Sequence, residues 1–544
     1  MKFIKSGRRM VAAGILVSLA LASGAFAAKP AVELTLLGSY DSPVAGVGSA
    51  EIVTHDSVTQ RLFTINAPAA RIDAISILDP AVPSLLFSID VTPWGGQANS
   101  VDVCNGVVAA AVEAVVKQNP GQIVFFDTSG NFLNAVPAGA LPDMITFTPN
   151  CEYVLSANEG EPNSYGQPTS IDPEGSVTLV DMRNGAAAAA ATQVGFGDFT
   201  AGMLDASTRI YGPNATIAQD LEPEYIAVDH NSKTAYITLQ ENNAVAVLDI
   251  KSATITGIFG LGFKDYLSGD NRLDASDRDT PGGPNTGVFN VRHWPVYGMY
   301  LPDAISSLKY KSQTFLVTAN EGDARDYTGF SEELRGSSAL LPLDQAAFAA
   351  RGYPDITNGP NGLKNDDNLG RLNFTRTLGN TDGDAQFEEL YTLGGRSFSI
   401  WTTDGEQVYD SRDDFEQITY AANPLFFNAS NDDNVFDSRS DNKGPEPEAV
   451  TVGKAYGRSY AFIGLERVGG IMVYDVTNPY DVSFVQYINN RNFLFPFNTP
   501  QALDVGPEGI HFISANDSPT GVPMIAVANE VSGTTSVYEF VQIH

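Results

Sequence analysis

LEPEYIAVDHNSKTAYITLQENNAVAVLDI, residues 221–250, reads as an alternating strand, a polar turn, a second strand, an acidic turn and a third strand. Relatives of this unit begin near EIVTHD (51–56), SVDVCNG (100–106), LPDMITFTPN (141–150), LPDAISSLKY (301–310), EPEAVTVG (446–453) and GPEGIHFI (506–513). Second strands follow a short turn, as in YVLSANE (153–159), FLVTANE (315–321), AFIGLE (461–466) and MIAVANE (524–530). The third strand usually closes on an aspartate, namely Asp79, Asp127, Asp181, Asp249 or Asp475, and a fourth strand such as TGIFGLGF (256–263) or VSFVQYI (482–488) comes next. Four-stranded units at a period of about 40 residues are the pattern of a β-propeller, where no blade buries both faces without its neighbours. The last copy ends at SVYEFVQIH with no fourth strand of its own. The expected fold is therefore all-β, a seven-bladed β-propeller closed by the N-terminal strand VELTLLGSY (32–40), with a pair of β-sandwiches as the alternative.

Residues 1–27 read as a signal peptide: Lys2, Lys5, Arg8 and Arg9, an apolar run from Met10 to Ala22, then the small-x-small site Ala25-Phe26-Ala27. The remainder, 28–544, reads as a single propeller domain. No later stretch is long and apolar enough to span a bilayer, so the expected product is secreted or periplasmic and is read as a monomer. Losing the four signal cations takes the net charge from −32 to −36. That balance argues against nucleic acid and anionic membranes as partners, although salt-adapted secreted proteins share it. Two cysteines exclude a disulfide scaffold. Cys104 and Cys151 fall in the same turn of adjacent repeats, so a disulfide between them is expected in an oxidising compartment.

Because antiparallel strands alternate direction, the start of the first strand and the end of the second share one face. The first place holds Glu51, Asp102, Asp143, Glu224, Asp303, Glu448 and Glu508; the second holds Glu159, Glu241, Glu321, Glu466 and Glu530. Carboxylates converging on one mouth raise one another's pKa unless a cation neutralises them, and many hard oxygen donors favour Ca2+ over zinc or copper. Five scattered histidines form no evident transition-metal motif. Acidic residues at strand ends also cap turns, which is the structural alternative.

Insertions 160–175 and 322–395 interrupt the second-to-third strand connection, and 199–220, 264–300, 411–444 and 489–505 precede the next repeat. All belong to the acidic face, where long loops build binding surfaces. NTDGD (380–384) offers Asn380, Asp382 and Asp384 at alternating places as a partial calcium loop, with Ala385 where an EF-hand has glycine. DNRLDASDRD (270–279) is equally acidic without ordered spacing. Arg325, Arg396 and Arg467 adjoin the acidic face and are the candidate anion-binding, catalytic cations. Neither a Ser-His-Asp set nor a Gly-rich phosphate loop is recognisable.

The strings ANEGEPN, LEPEYIAV, ANEGDARDY, ELYTLGGRSFSIW, GPEPEAV, GLERVGGIMVYDV and VGPEGI resemble the choice-of-anchor I family of secreted propellers over nearly the whole mature chain. That family includes an atypical cyanobacterial alkaline phosphatase and cell-surface glycoproteins associated with biomineralisation. Its name refers to C-terminal sorting anchors, and ending at His544 the chain is read as unanchored. More distantly, the pairing of Glu448 with Glu466 and of Glu508 with Glu530 is similar to the repeat of the β-propeller phytases, whose mouth glutamates hold calcium. Carried over, Glu224, Glu448 and Glu508 become ligands with Glu241, Glu466 and Glu530 beside them. These resemblances imply a calcium-dependent phosphoester hydrolase acting on a small phosphorylated substrate. The alternative is a non-catalytic calcium-binding surface or mineral-associated propeller; a quinone-dependent dehydrogenase lacks its cofactor motifs.

Overall fold

The structure, a computed structural model, describes residues 31–43, 48–280 and 286–543; the signal-peptide segment 1–27 lies outside them. Among the described residues the chain forms seven four-stranded antiparallel sheets, each following the repeat. In the fourth, Pro223–Val228, Thr234–Leu239, Ala244–Asp249 and Thr254–Gly260 pair in sequence order. The fifth departs from this only in length of connection. There, Gln313–Asn320 pairs with Ser397–Thr402 across the whole of insertion 322–395.

The seventh sheet takes its outer strand from the other end of the chain. Ala31–Asp41 runs antiparallel to Thr534–Ile543, with Leu34 opposite Phe540 and Tyr40 opposite Thr535. This covers an edge that would otherwise present unpaired N–H and C=O groups.

Strand alternation places an apolar row on each face of every sheet, and each row meets its neighbour in a separate core. Phe63 and Ile72 of the first sheet pack with Val108 and Val124 of the second. Leu155 and Leu179 of the third meet Ile237 and Leu248 of the fourth. Ile75 and Leu62 of the first also pack on Met524 and Val537 of the seventh, so the succession of cores returns to its start. First strands from all seven sheets surround one axial cavity of about 240 Å³, from Thr54 through Ser100, Ile145, Ala227, Ser306 and Thr451 to His511.

Cys104 and Cys151 are joined, Cα atoms 5.9 Å apart, linking the first turns of the second and third sheets as expected. Insertions 264–300 and 322–395 do more than extend loops. They fold together into a mixed sheet of Phe263–Asp265, Tyr297–Met299, Tyr391–Thr392, Asn373–Thr375 and Glu333–Arg335, the two insertions meeting in parallel at Tyr297 and Tyr391. Trp294, Leu341, Phe348 and Phe374 give this subdomain a core of its own.

Candidate functional site

Five repeats place proline immediately before the acid that opens the first strand: Pro142, Pro223, Pro302, Pro447 and Pro507. Proline has no N–H for a ladder and is tolerated at a strand's first residue. In four of these repeats the register then slips, between Pro142 and Ile145, Pro223 and Ile226, Pro447 and Val450, and Pro507 and Gly509. The bulge carries Asp143, Glu224, Glu448 or Glu508, and re-aims its side chain out of the alternation.

Two residues earlier the backbone is left-handed at Leu141, Leu301, Glu446 and Gly506. Non-glycine residues adopt this region at a cost that the surrounding structure must offset. The turned carbonyls receive the second strand's end: Leu141 O accepts from Glu159 N at 3.0 Å, Glu446 O from Glu466 N at 2.8 Å, and Gly506 O from Glu530 N at 2.7 Å. Each first-place acid is thereby tied to its second-place partner.

Glu51, Asp143, Glu159, Glu224, Asp303, Glu448 and Glu508 line one cavity of about 230 Å³, together with Glu161, Asn99, Lys117 and Tyr225. Tyr225 and Ile52 border the axial cavity as well. Carboxylate oxygens of Asp143, Glu159 and Glu224 lie within 4.8 Å of one another, as do those of Asp303, Glu321 and Glu448, and those of Glu321, Glu446 and Glu466.

Crowding and burial act in the same direction on these groups. Burial first, then mutual repulsion, pushes Glu51 and Asp303 up to about 8 and Asp143 up to about 7, and burial raises Glu321 to about 7 against the pull of Lys443. Burial and neighbouring carboxylates hold Glu159, Glu224, Glu241, Glu448, Glu466 and Glu508 well above the ordinary range, and Glu530 is also raised. Glu446 is the exception. Burial opposes its ionisation, yet Lys443, Arg439 and Arg467 hold it down to about 2.

The ring is thus unevenly compensated. On the fifth and sixth sheets Lys443 Nζ pairs with Glu321 and lies 3.3 Å from Glu446, and Arg467 Nε is 3.1 Å from both Glu446 and Glu466. Around Asp143, Glu159 and Glu224 the cation among the described residues lining the mouth is Lys117, whose ammonium is 3.7 Å from Glu113. Among the described residues, Glu241 Oε2 and Glu448 Oε2 are buried without a hydrogen-bond partner. All-oxygen, carboxylate-dominated donors with such orphaned atoms fit a hard divalent cation.

Three expectations need correction. Asp102 does not belong to the mouth; it sits three residues beyond Asn99, which occupies the acid's place in the second sheet. Its carboxylate accepts from Thr54 Oγ1 at 2.9 Å and Phe147 N at 2.7 Å beside the axial cavity. Arg325 is 1 % exposed, paired with Asp220 and, at 2.9 Å, with Glu222, and stacked on Tyr211. Arg396, 2 % exposed, donates to Glu416 at 2.8 Å and to the carbonyls of Asp274, Ser440 and Asn442. Both arginines are enclosed by protein acceptors, whereas Arg467 stands at the mouth, bordering a side cavity with Lys443, Arg439, Asp323 and Glu333.

Asp382 and Asp384 form a group with Glu388 on an exposed turn, which closes on itself through Thr381 N to Glu388 at 2.6 Å and Asp384 N to Asp382 at 3.0 Å. Sequence reading missed Glu113, Glu161, Glu446, Lys117 and Lys443. Glu113 was visible in principle, since it ends Val107–Val112 as Glu159 ends Tyr153–Asn158. The two lysines lie in insertions or loops outside the repeat, where no spacing rule reaches them.

A family model, the choice-of-anchor I domain, matches residues 51–479. Among curated proteins the chain is similar to Gigasin-3a of Magallana gigas, 30% identical over 188 residues, or 32% of this chain and 66% of that protein. It is also similar to a mesenchyme-specific cell surface glycoprotein of Strongylocentrotus purpuratus, 27% identical over 288 residues, or 49% of this chain and 36% of that protein. The chain therefore spans less than two thirds of the length of either relative. Solved structures of similar shape include Kuenenia stuttgartiensis hydrazine synthase, with a TM-score of 0.46, 11% identity and coverage of 92% of this chain and 99% of that one. A streptogramin B lyase gives a TM-score of 0.44 and 10% identity, covering 94% and 98%. At those scores neither adds to the strand pairing already described.

Proposed function

Because the chain belongs to the choice-of-anchor I family, we propose that its mouth is the calcium site of a phosphoester hydrolase, carried by a secreted or periplasmic monomer. In this reading the seven sheets are the blades of one closed seven-bladed propeller, and the insertions rim its acidic face. The observation that carries it is the Asp143–Glu159–Glu224 group, whose oxygens converge within 4.8 Å while the neighbouring sector holds its own cations.

Asp143, Glu159 and Glu224 would hold one ion, with Glu241 beside them, and Asp303, Glu321 and Glu448 a second. Calcium, when bound, supplies the positive charge that draws phosphate oxygens into an acidic mouth and acidifies water beside them. Arg467 and Lys443 orient the phosphate from the sector where acids are already matched, contributing charge-assisted donors as negative charge builds on the phosphoryl oxygens. Tyr225 and Ile52 narrow the passage to the axial cavity and keep the ester at the mouth.

A second reading is a non-catalytic calcium-binding surface or mineral-associated propeller; the Strongylocentrotus purpuratus relative, named as a cell surface glycoprotein, favours its surface location. One experiment separates the two. Mature protein is stripped with chelator and assayed on a phosphomonoester and a phosphodiester before and after calcium is restored. Calcium-dependent turnover that falls by about 100-fold in Glu224→Gln, with melting in chelator undiminished, is expected. Calcium that raises the melting temperature while neither ester is hydrolysed would overturn the hydrolase and leave the binding protein.

A further inference from the structure

The acidic stretch 270–279 divides in the folded chain. Asp270 turns to Arg412 at 2.9 Å and Asp277 to Arg371 at 2.8 Å, both near the surface. Asp274 and Asp279, 0 % and 4 % exposed, turn inward instead. Both are held by one short segment: Asn290 N donates to Asp274 Oδ2 at 2.6 Å, and Val288 N and Asn290 Nδ2 donate to the two oxygens of Asp279 at 2.8 and 2.7 Å.

Across the seam lies insertion 411–444. Asp437 is fully buried, and its Oδ2 faces Gly287, where a Cβ would stand 1.7 Å away. Only glycine lets the segment holding Asp274 and Asp279 approach that oxygen. Asn428, also fully buried, has its amide nitrogen fixed by Glu416 at 2.9 Å and Ser440 at 2.8 Å. Among the described residues, its Oδ1 and Asp437 Oδ2 have no hydrogen-bond partner.

Charge is as unbalanced here as in the mouth. Arg396 satisfies Glu416, and Arg292 acts weakly on Asp279, yet Asp274, Asp279, Glu416 and Asp437 repel one another. Burial and Asp274 push Asp437 up to about 10. Buried acceptors left without donors cost stability unless a cation or proton joins them. Two carboxylates and an amide oxygen, with the one nearby guanidinium already taken up by Glu416 and three carbonyls, make an oxygen donor set for a hard, flexible-geometry ion.

We propose that a structural calcium ion, separate from the mouth, clasps insertion 264–300 to insertion 411–444 through Asp274, Asp437 Oδ2 and Asn428 Oδ1. The ion locks the seam between the inserted subdomain and the propeller's rim.

The test uses the full mature chain in a Glu224→Gln background, which weakens the mouth site. After loading with calcium and desalting, this protein is expected to retain about one more calcium ion per chain than the same protein carrying Asp437→Asn. Chelator should also open 264–300 to a protease, and added calcium should close it again unless Asp437 is replaced. Equal calcium content with and without Asp437→Asn overturns the proposal. If that variant does not fold, Asn428→Asp decides: calcium should raise its melting temperature more than that of the parent. Destabilisation in calcium as well as in chelator means protons alone serve the cluster.

Discussion

Arg325 illustrates how the same guanidinium can serve anchoring or chemistry according to its surroundings. It joins insertion 322–395 to Asp220 and Glu222 ahead of the fourth sheet, with Tyr211 beneath. Replacing it with methionine leaves two buried carboxylates without their partner, and loss of about 3–5 kcal/mol is expected in urea unfolding. A variant that keeps its stability but loses only the proposed phosphoester turnover would instead place Arg325 in the chemistry. Residues of this kind were not legible. ANEGDARDY puts Arg325 beside the acidic face, but the partners that consume it come from another insertion about 100 residues away in the chain. Asp102 failed for a smaller reason, since the repeat's register, set by a bulge between Ala98 and Ser100, assigns the acid's place to Asn99.

At the scale of elements, the strand Ala31–Asp41 is both edge cover and core. Leu34 is 1 % exposed among Tyr460, Phe462, Ile525 and Phe540, at the meeting of the sixth and seventh sheets. Leu34→Ala should cost about 2–5 kcal/mol. If the strand were merely laid on the surface, denaturation midpoints of the two proteins would coincide. The cysteines act on a different pair of sheets. Their separation of 47 residues implies about 4 kcal/mol of loop-closure stabilisation, so the double variant Cys104→Ala, Cys151→Ala should unfold at lower urea. An unchanged midpoint would argue that the unfolded chain is not constrained by the link. Both features were readable in the sequence because they depend on repeat position alone. The joint folding of 264–300 with 322–395 was not, because their parallel pairing at Tyr297 and Tyr391 joins segments with no shared period.

For the whole molecule, the ring of acids makes stability a function of pH. Glu51 and Asp303 near 8 and Asp143 and Glu321 near 7 lie above the ordinary carboxylate range of about 4. Between these limits the native state binds more protons than the unfolded chain, so the contribution is fully present below about pH 4 and is lost as pH rises through 7 to 8. Glu446, held near 2, contributes in the opposite sense, in acid below the ordinary range. In chelator the urea midpoint should therefore fall from pH 5 to pH 9, and calcium should flatten that fall. Parallel pH profiles with and without calcium would show that no ion compensates the ring. The chain's own pattern determined the strand order, the closing strand, the disulfide and the shared face of paired acids, because each follows from a short period and the alternation of antiparallel strands. Which acids converge, which arginines are already spent and how the insertions pack were decided only by tertiary structure, since burial and partner choice arise between segments whose spacing obeys no repeat.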